Sequence, residues 1–109
     1  MAKKKIGDSN PSAATWTVVK EGASGKEYVV STMSVANHGS SSATFRLAHI
    51  VGGTGAPSTA EIFWSTTTLL PSQTVVITLG VTFEDGDSIQ IYASTGNVSI
   101  NIWGDESDQ

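Results

Sequence analysis

Cysteine is missing altogether from the 109 residues, which excludes disulfides, thiolate metal sites and a cysteine nucleophile. Charge is scarce: 15% of residues are Asp, Glu, Lys or Arg, against about a quarter in an ordinary domain. No apolar run approaches the ~20 residues of a membrane span, and Met1–Ile6 lacks the apolar stretch of a signal peptide. The expectation is therefore a soluble protein made in a cytoplasm. A net charge of −4 argues against a nucleic-acid partner, which calls for clustered Lys and Arg. Leucine is sparse, with four residues, and no long stretch carries the 3.6-residue apolar period of a helix.

What is present favours strands. Ten Val, eight Ile and thirteen Thr suit a pleated surface and lose rotamer freedom in a helix. Ser, Thr and Gly together make 39 residues, which supplies turns and thin polar faces. One modest core fits this length, and a second domain does not. An all-β chain with so little charge is exposed to edge-to-edge aggregation unless neighbours cover its edges, a first pointer to an assembled protein.

Residues 1–13 read as an extended arm, because Lys3-Lys4-Lys5 leads into the turn formers Gly7-Asp8-Ser9-Asn10-Pro11-Ser12. Residues 105–109 read as an acidic tail. Between them, residues 14–104 read as one sandwich domain with seven strands: Ala14–Lys20, Lys26–Asn37, Ala43–Val51, Ala60–Leu70, Gln73–Leu79, Ser88–Ser94 and Asn97–Gly104. The last two, joined by Thr95-Gly96, read as the clearest hairpin. The fold class is all-β, an antiparallel sandwich of seven or eight strands, jelly-roll or immunoglobulin-like. The expected core is Val29, Val35, Phe45, Leu47, Ile62, Val75, Ile77, Ile89, Ile91, Val98, Ile100 and Ile102.

Charge is distributed unevenly. All six basic residues lie at or before Arg46, and seven acids with no base follow it. An arm of eleven residues reaches about 35 Å when extended. The arm is thus expected to cross onto a neighbouring subunit and to fold only there, with Lys3, Lys4 and Lys5 beside acids and Ile6 buried.

Chemistry-bearing patterns are weak. A zinc site needs three or four ligands, and the two histidines, His38 and His49, have no convincing third partner. Asp85-Gly86-Asp87 superficially resembles a calcium loop but lacks the ligand series that follows one, so Asp87 reads as bonding local backbone in a turn. Gly52-Gly53-Thr54-Gly55 has no phosphate-binding Lys after it, and no Gly-x-Ser-x-Gly elbow frames a nucleophile. Asn97-Val98-Ser99 matches a glycosylation sequon, which reads as chance without a secretion signal. No catalytic residue, metal or cofactor is expected. Trp16, Trp64 and Trp103 remain as residues for a subunit interface or a glycan-stacking platform; Trp103 lies two residues from Asn101 and from Asp105.

Three segments carry a resemblance to a family. The strand Tyr28-Val29-Val30-Ser31-Thr32-Met33-Ser34-Val35-Ala36 ends in the turn Asn37-His38-Gly39-Ser40. The strand Ala43-Thr44-Phe45-Arg46-Leu47-Ala48 follows. The chain closes on Gly86-Asp87-Ser88-Ile89-Gln90-Ile91-Tyr92-Ala93-Ser94-Thr95-Gly96-Asn97-Val98-Ser99-Ile100. In this order the segments resemble the small β-sandwich virion proteins of tailed bacteriophages, over roughly Trp16 to Gly104. Glu21-Gly22-Ala23-Ser24-Gly25 stands where that family commonly has a proline before the long strand.

The resemblance implies a non-enzymatic structural protein of the virion, foremost a capsid decoration (cement) protein. Such a protein works as a trimer, touching its own copies and the major capsid protein, with no nucleic acid or membrane partner. The alternatives are a neck, tail or baseplate component and a carbohydrate-binding module for host attachment.

Overall fold

The computed structural model describes residues 4–108. In chain order the strands are β1 (Lys4–Ser9), β2 (Thr15–Glu21), β3 (Lys26–Asn37), β4 (Ala43–Ile50), β5 (Ile62–Leu69), β6 (Thr74–Ile77), β7 (Val81–Glu84), β8 (Ser88–Ala93) and β9 (Val98–Asp108). One antiparallel sheet has the order β1-β9-β3, with β6 and β7 both on the far side of β3; the other has the order β2-β8-β4-β5. β6 lies against Met33–Ala36 and β7 against Glu27–Val30, so the two act as one edge strand interrupted at Thr78-Leu79-Gly80. With that pair counted as one, each sheet has four strands, and every link except β4–β5 crosses between sheets. This is the strand order of a jelly roll, two interleaved Greek keys, and not that of an immunoglobulin domain.

Between the sheets lies one core, built on Tyr28, Met33, Val35, Phe45, Leu47, Leu69, Ile89, Ile91, Ile100 and Ile102. Each of these buried side chains contributes about 1.5–3 kcal/mol relative to exposure. Nine of the twelve expected core residues are buried; Ile62 and Val75 are half-buried, and Val29 is 45% exposed. The cause at Val29 is a bulge in β3 between Val30 and Thr32. One extra residue reverses which face each side chain takes, so Tyr28 and Val30 point inward before it and Met33 and Val35 after it.

Three sequence expectations are corrected. Ser88–Ser94 and Asn97–Gly104 are not a hairpin: β8 pairs with β2 and β4, whereas β9 pairs with β1 and β3. Alternation and a short turn identify two strands but not their partners, and a crossover buries both apolar faces as well as a hairpin does. Lys4–Ser9 is a strand and not an arm; its backbone pairs with β9 and its one apolar side chain, Ile6, is buried. The acidic tail also lengthens a strand, since β3 offers partners as far as Lys26 opposite Asp108.

The connection 51–61 folds back over the outer face of the second sheet. There the Ser88 hydroxyl donates to the Gly53 carbonyl (2.7 Å) and the Gln90 amide to that of Gly55 (3.0 Å). Ala48, Ile50, Ser88 and Gln90 are consequently buried although they stand outside the main core.

Candidate interaction surfaces

The sandwich has two sides where sheet edges meet solvent. On one, β1 and β2 come together: a side-chain carbon at Gly7 would stand 3.0 Å from the Val19 carbonyl oxygen. Ile6 fills the space left by the absent side chain of Gly104, where any Cβ would lie 1.9 Å from the Val29 carbonyl oxygen. Lys4 Nζ donates to Glu106 Oε1 (2.8 Å), and Lys5 Nζ pairs with Asp8 Oδ2 (2.8 Å) on its own strand. Of the residues expected to grip a neighbour, Lys4 and Lys5 therefore engage the chain's own acids and Ile6 its own core, while Lys3 lies outside the described residues. The Lys4 ammonium, with the Tyr28 hydroxyl, holds the Glu106 carboxyl below its ordinary range. Burial pushes the Tyr28 hydroxyl up. Just past the corner, between Ser9 and Thr15, the Asn10 amide donates to the carbonyls of Gly96 (3.0 Å) and Val98 (2.6 Å), clamping the β8–β9 crossover.

The other side is bounded by β5 and by β6 with β7. β5 is hydrogen-bonded to β4 alone, and β6 and β7 to β3 alone. Residues 62–83, which supply all three strands except Glu84 at the end of β7, contain no Asp, Glu, Lys, Arg or His. Val76 is 64% and Leu70 58% exposed. Between the two edges runs a groove lined by His49, Phe63, Leu79 and Val81. β5 also loses register with β4 twice, between Phe45 and Leu47 and between Leu47 and Ala48.

The three tryptophans occupy three separate places. Trp64 belongs to the charge-free side, where its Nε1 donates to Thr67 Oγ1 (2.9 Å). Trp103 stands on the outer face of the first sheet between Lys5 and Thr32. Trp16 starts a row across the outer face of the second sheet: its ring lies 5.6 Å from that of Tyr92, and the Arg46 guanidinium lies 4.3 Å from the Tyr92 ring centre and 5.4 Å from the Trp16 ring centre. Stacking of Arg46 on both rings occupies faces that a sugar would need. Neither the row nor the charge-free side was anticipated. The row is invisible until strand pairing sets Trp16 and Arg46 on either side of Tyr92, whereas the run 62–83 could have been found by counting charges along the chain.

Asp87 is the one buried carboxylate among the described residues. Its oxygens accept from the backbone N–H groups of Gly52 (2.9 Å) and Glu84 (3.1 Å), and His49 Nε2 stands 3.6 Å away. Burial opposes its charge, but the two N–H groups and His49 prevail and hold its pKa below the ordinary value. The Glu84 bond is the local turn role read from the sequence, and the Gly52 bond adds a tie from the end of β7 to the connection 51–61. Asn37 does the same at the other end of β3, donating to the Ser41 carbonyl (2.8 Å) and accepting from Gly39 N–H (2.9 Å). His38 is spent on Ser99, 2.8 Å away. Among the described residues no group of three His, Asp or Glu is placed to hold a metal ion, and no helix is long and apolar enough to cross a membrane.

No family model and no curated protein matches the chain. Among solved structures, the chain is similar to a pentameric capsid protein isolated from metagenomic phage sequences, at 22% identity and a TM-score of 0.42. The match covers 92% of this chain, which spans 59% of the length of that protein.

Proposed function

We propose that this chain is a non-enzymatic structural component of a tailed-phage virion, and within that class a capsid decoration (cement) protein acting as a trimer. It would be made in the host cytoplasm and work mechanically, through area buried against its own copies and against the major capsid protein. The observation that carries this reading is the use made of the buried polar residues. Asn37, Asp87, Ser88 and Gln90 are all bonded to backbone and hold turns or the connection 51–61 in place. They also fall within the segments that resemble the phage virion proteins, so the polar residues behind that resemblance serve the scaffold. A jelly roll is compatible with this role, being used in viral capsids as well as in lectins.

Copy number in purified phage particles tests the proposal. More than about a hundred copies per particle indicate the capsid surface, while a ring of about six or twelve indicates neck, tail or baseplate. Absence from particles overturns the virion reading. The carbohydrate-binding alternative rests on Trp103, which stands on a sheet face beside Asn101. A glycan array that is positive for the full chain and negative for Trp103→Ala would favour it over cement.

A further inference from the structure

We propose that the side of the sandwich free of charge over residues 62–83 is the contact between copies of this chain, with β5, β6 and β7 of each copy packed on those of its neighbours around the threefold axis of the trimer. The inference deepens the assembly reading above by naming the surface through which it occurs.

Monomeric β proteins protect an exposed edge with charge, proline, bulges or a covering segment. Here the side formed by β1 and β2 carries Lys4, Lys5, Asp8, Lys20 and Glu21, while the opposite side carries no charge over residues 62–83. β5 has kept its bulges, which discourage backbone pairing with a foreign strand. Nothing comparable shields the side chains: Leu70 and Val76 are more than half exposed, and Phe63, Leu79 and Val81 line an open groove. The side is therefore suited to side-chain packing more than to strand addition.

Charge and area select the occupant. Each copy has a net charge of −4, and all sixteen charged residues lie outside 62–83, so copies can meet over β5, β6 and Val81–Phe83 with Glu84, exposed at the end of β7, left at the rim. The β1–β2 side as partner would bury lysines against apolar groups. The molecule measures 42 × 29 × 19 Å, and the twelve-residue β3 accounts for its long dimension. A side containing that axis spans at least 42 × 19 Å, about 800 Å², which is what each partner buries in an interface of standard size.

The test is the solution mass of the full chain by light scattering across a concentration series, for the native sequence and three variants. Val76→Asp and Leu70→Lys place charge on exposed positions of this side; Val18→Asp does the same at a 37% exposed valine on β2, at the opposite side. Circular dichroism checks that each variant folds. The expected result is an oligomer whose dissociation constant rises about tenfold or more with Val76→Asp and with Leu70→Lys, and is unchanged by Val18→Asp. A native chain that stays monomeric up to about 100 μM overturns the inference, as does equal weakening by Val18→Asp. A monomer that still binds particles sinks this contact and leaves the virion reading standing. An oligomer of the expected behaviour that is absent from particles does the reverse.

Discussion

The two sides of the sandwich solve the edge problem in opposite ways. Where β1 meets β2, the edges are drawn together, Ile6 is buried behind Gly104, and lysines and acids face the water. Where β5 faces β6 and β7, the edges stay apart, residues 62–83 carry no charge, and Leu70 and Val76 are exposed. The first side is complete within one chain, since its packing and its ion pairs are internal. The second leaves Leu70 and Val76 exposed among uncharged Ser and Thr residues. A single composition, poor in charge overall, thus conceals a strong partition, and it is on this partition that the proposed contact rests.

The largest effect should come from attacking the finished side at its tightest point. At Gly104 any side chain collides with the Val29 carbonyl and with Ile6, in the middle of β9 where the backbone cannot yield without losing β1. Gly104→Ala should destabilise by about 3 kcal/mol or more, with the melting temperature falling by about 12 °C or more. Ile6→Ala removes the packing without the collision and should cost about 2–4 kcal/mol. Thermal melts check both. An unchanged melt for Ile6→Ala would mean that β1 is held by its backbone alone.

The contrast also explains what could be read in the sequence. Strands with several inward apolar residues, such as β4 with Phe45 and Leu47 or β9 with Ile100 and Ile102, announce themselves by alternation. β1 has a single inward apolar residue among lysines and turn formers, and it becomes a strand only because β9 offers it a partner. β7 is four residues long and follows a break, too little for a period to register. The sheet to which each strand belongs is a tertiary choice, hence the misassigned partnership of β8 and β9. The bulge at Ser31 leaves Val29 facing outward, and it shows only in the register with β9. Among the surfaces, Lys4, Lys5 and Ile6 find their partners within the chain, and no pattern in the sequence says whether such partners are internal or belong to a neighbour.

A middle-sized effect separates the two sides by pH. Asp87 ties β7 and the connection 51–61 together on the unfinished side, whereas Ile6 and Gly104 contain nothing that titrates. Because the folded pKa of Asp87 is lowered, its stabilisation is fully present above the ordinary carboxylate range and is lost as pH falls through the folded value. Hydrogen exchange should therefore speed up at Gly52 and Glu84 in acid before it does along β1 and β9. Asp87→Ala, which takes the acceptor from two part-buried N–H groups, should cost about 1–3 kcal/mol at neutral pH and remove that acid-dependent step. Exchange that accelerates uniformly on acidification would show that the two sides open as one unit.

The smallest effect is expected where charge is most conspicuous. Lys4 and Glu106 form a close pair, but the Lys4 side chain is 56% exposed and water surrounds the contact. Coulomb attraction there is weak, ordering two long side chains opposes it, and salt screens the remainder. The folded-state pKa of Glu106 is lowered by Lys4, so the pair acts above the ordinary carboxylate range and fades in acid. Lys4→Ala should accordingly move the melting temperature little at low salt and not at all at high salt. If Lys4→Ala lowers it as far as Ile6→Ala does, at either salt concentration, then charge and not packing secures β1, and the distinction between a finished side and an unfinished one must be redrawn in electrostatic terms.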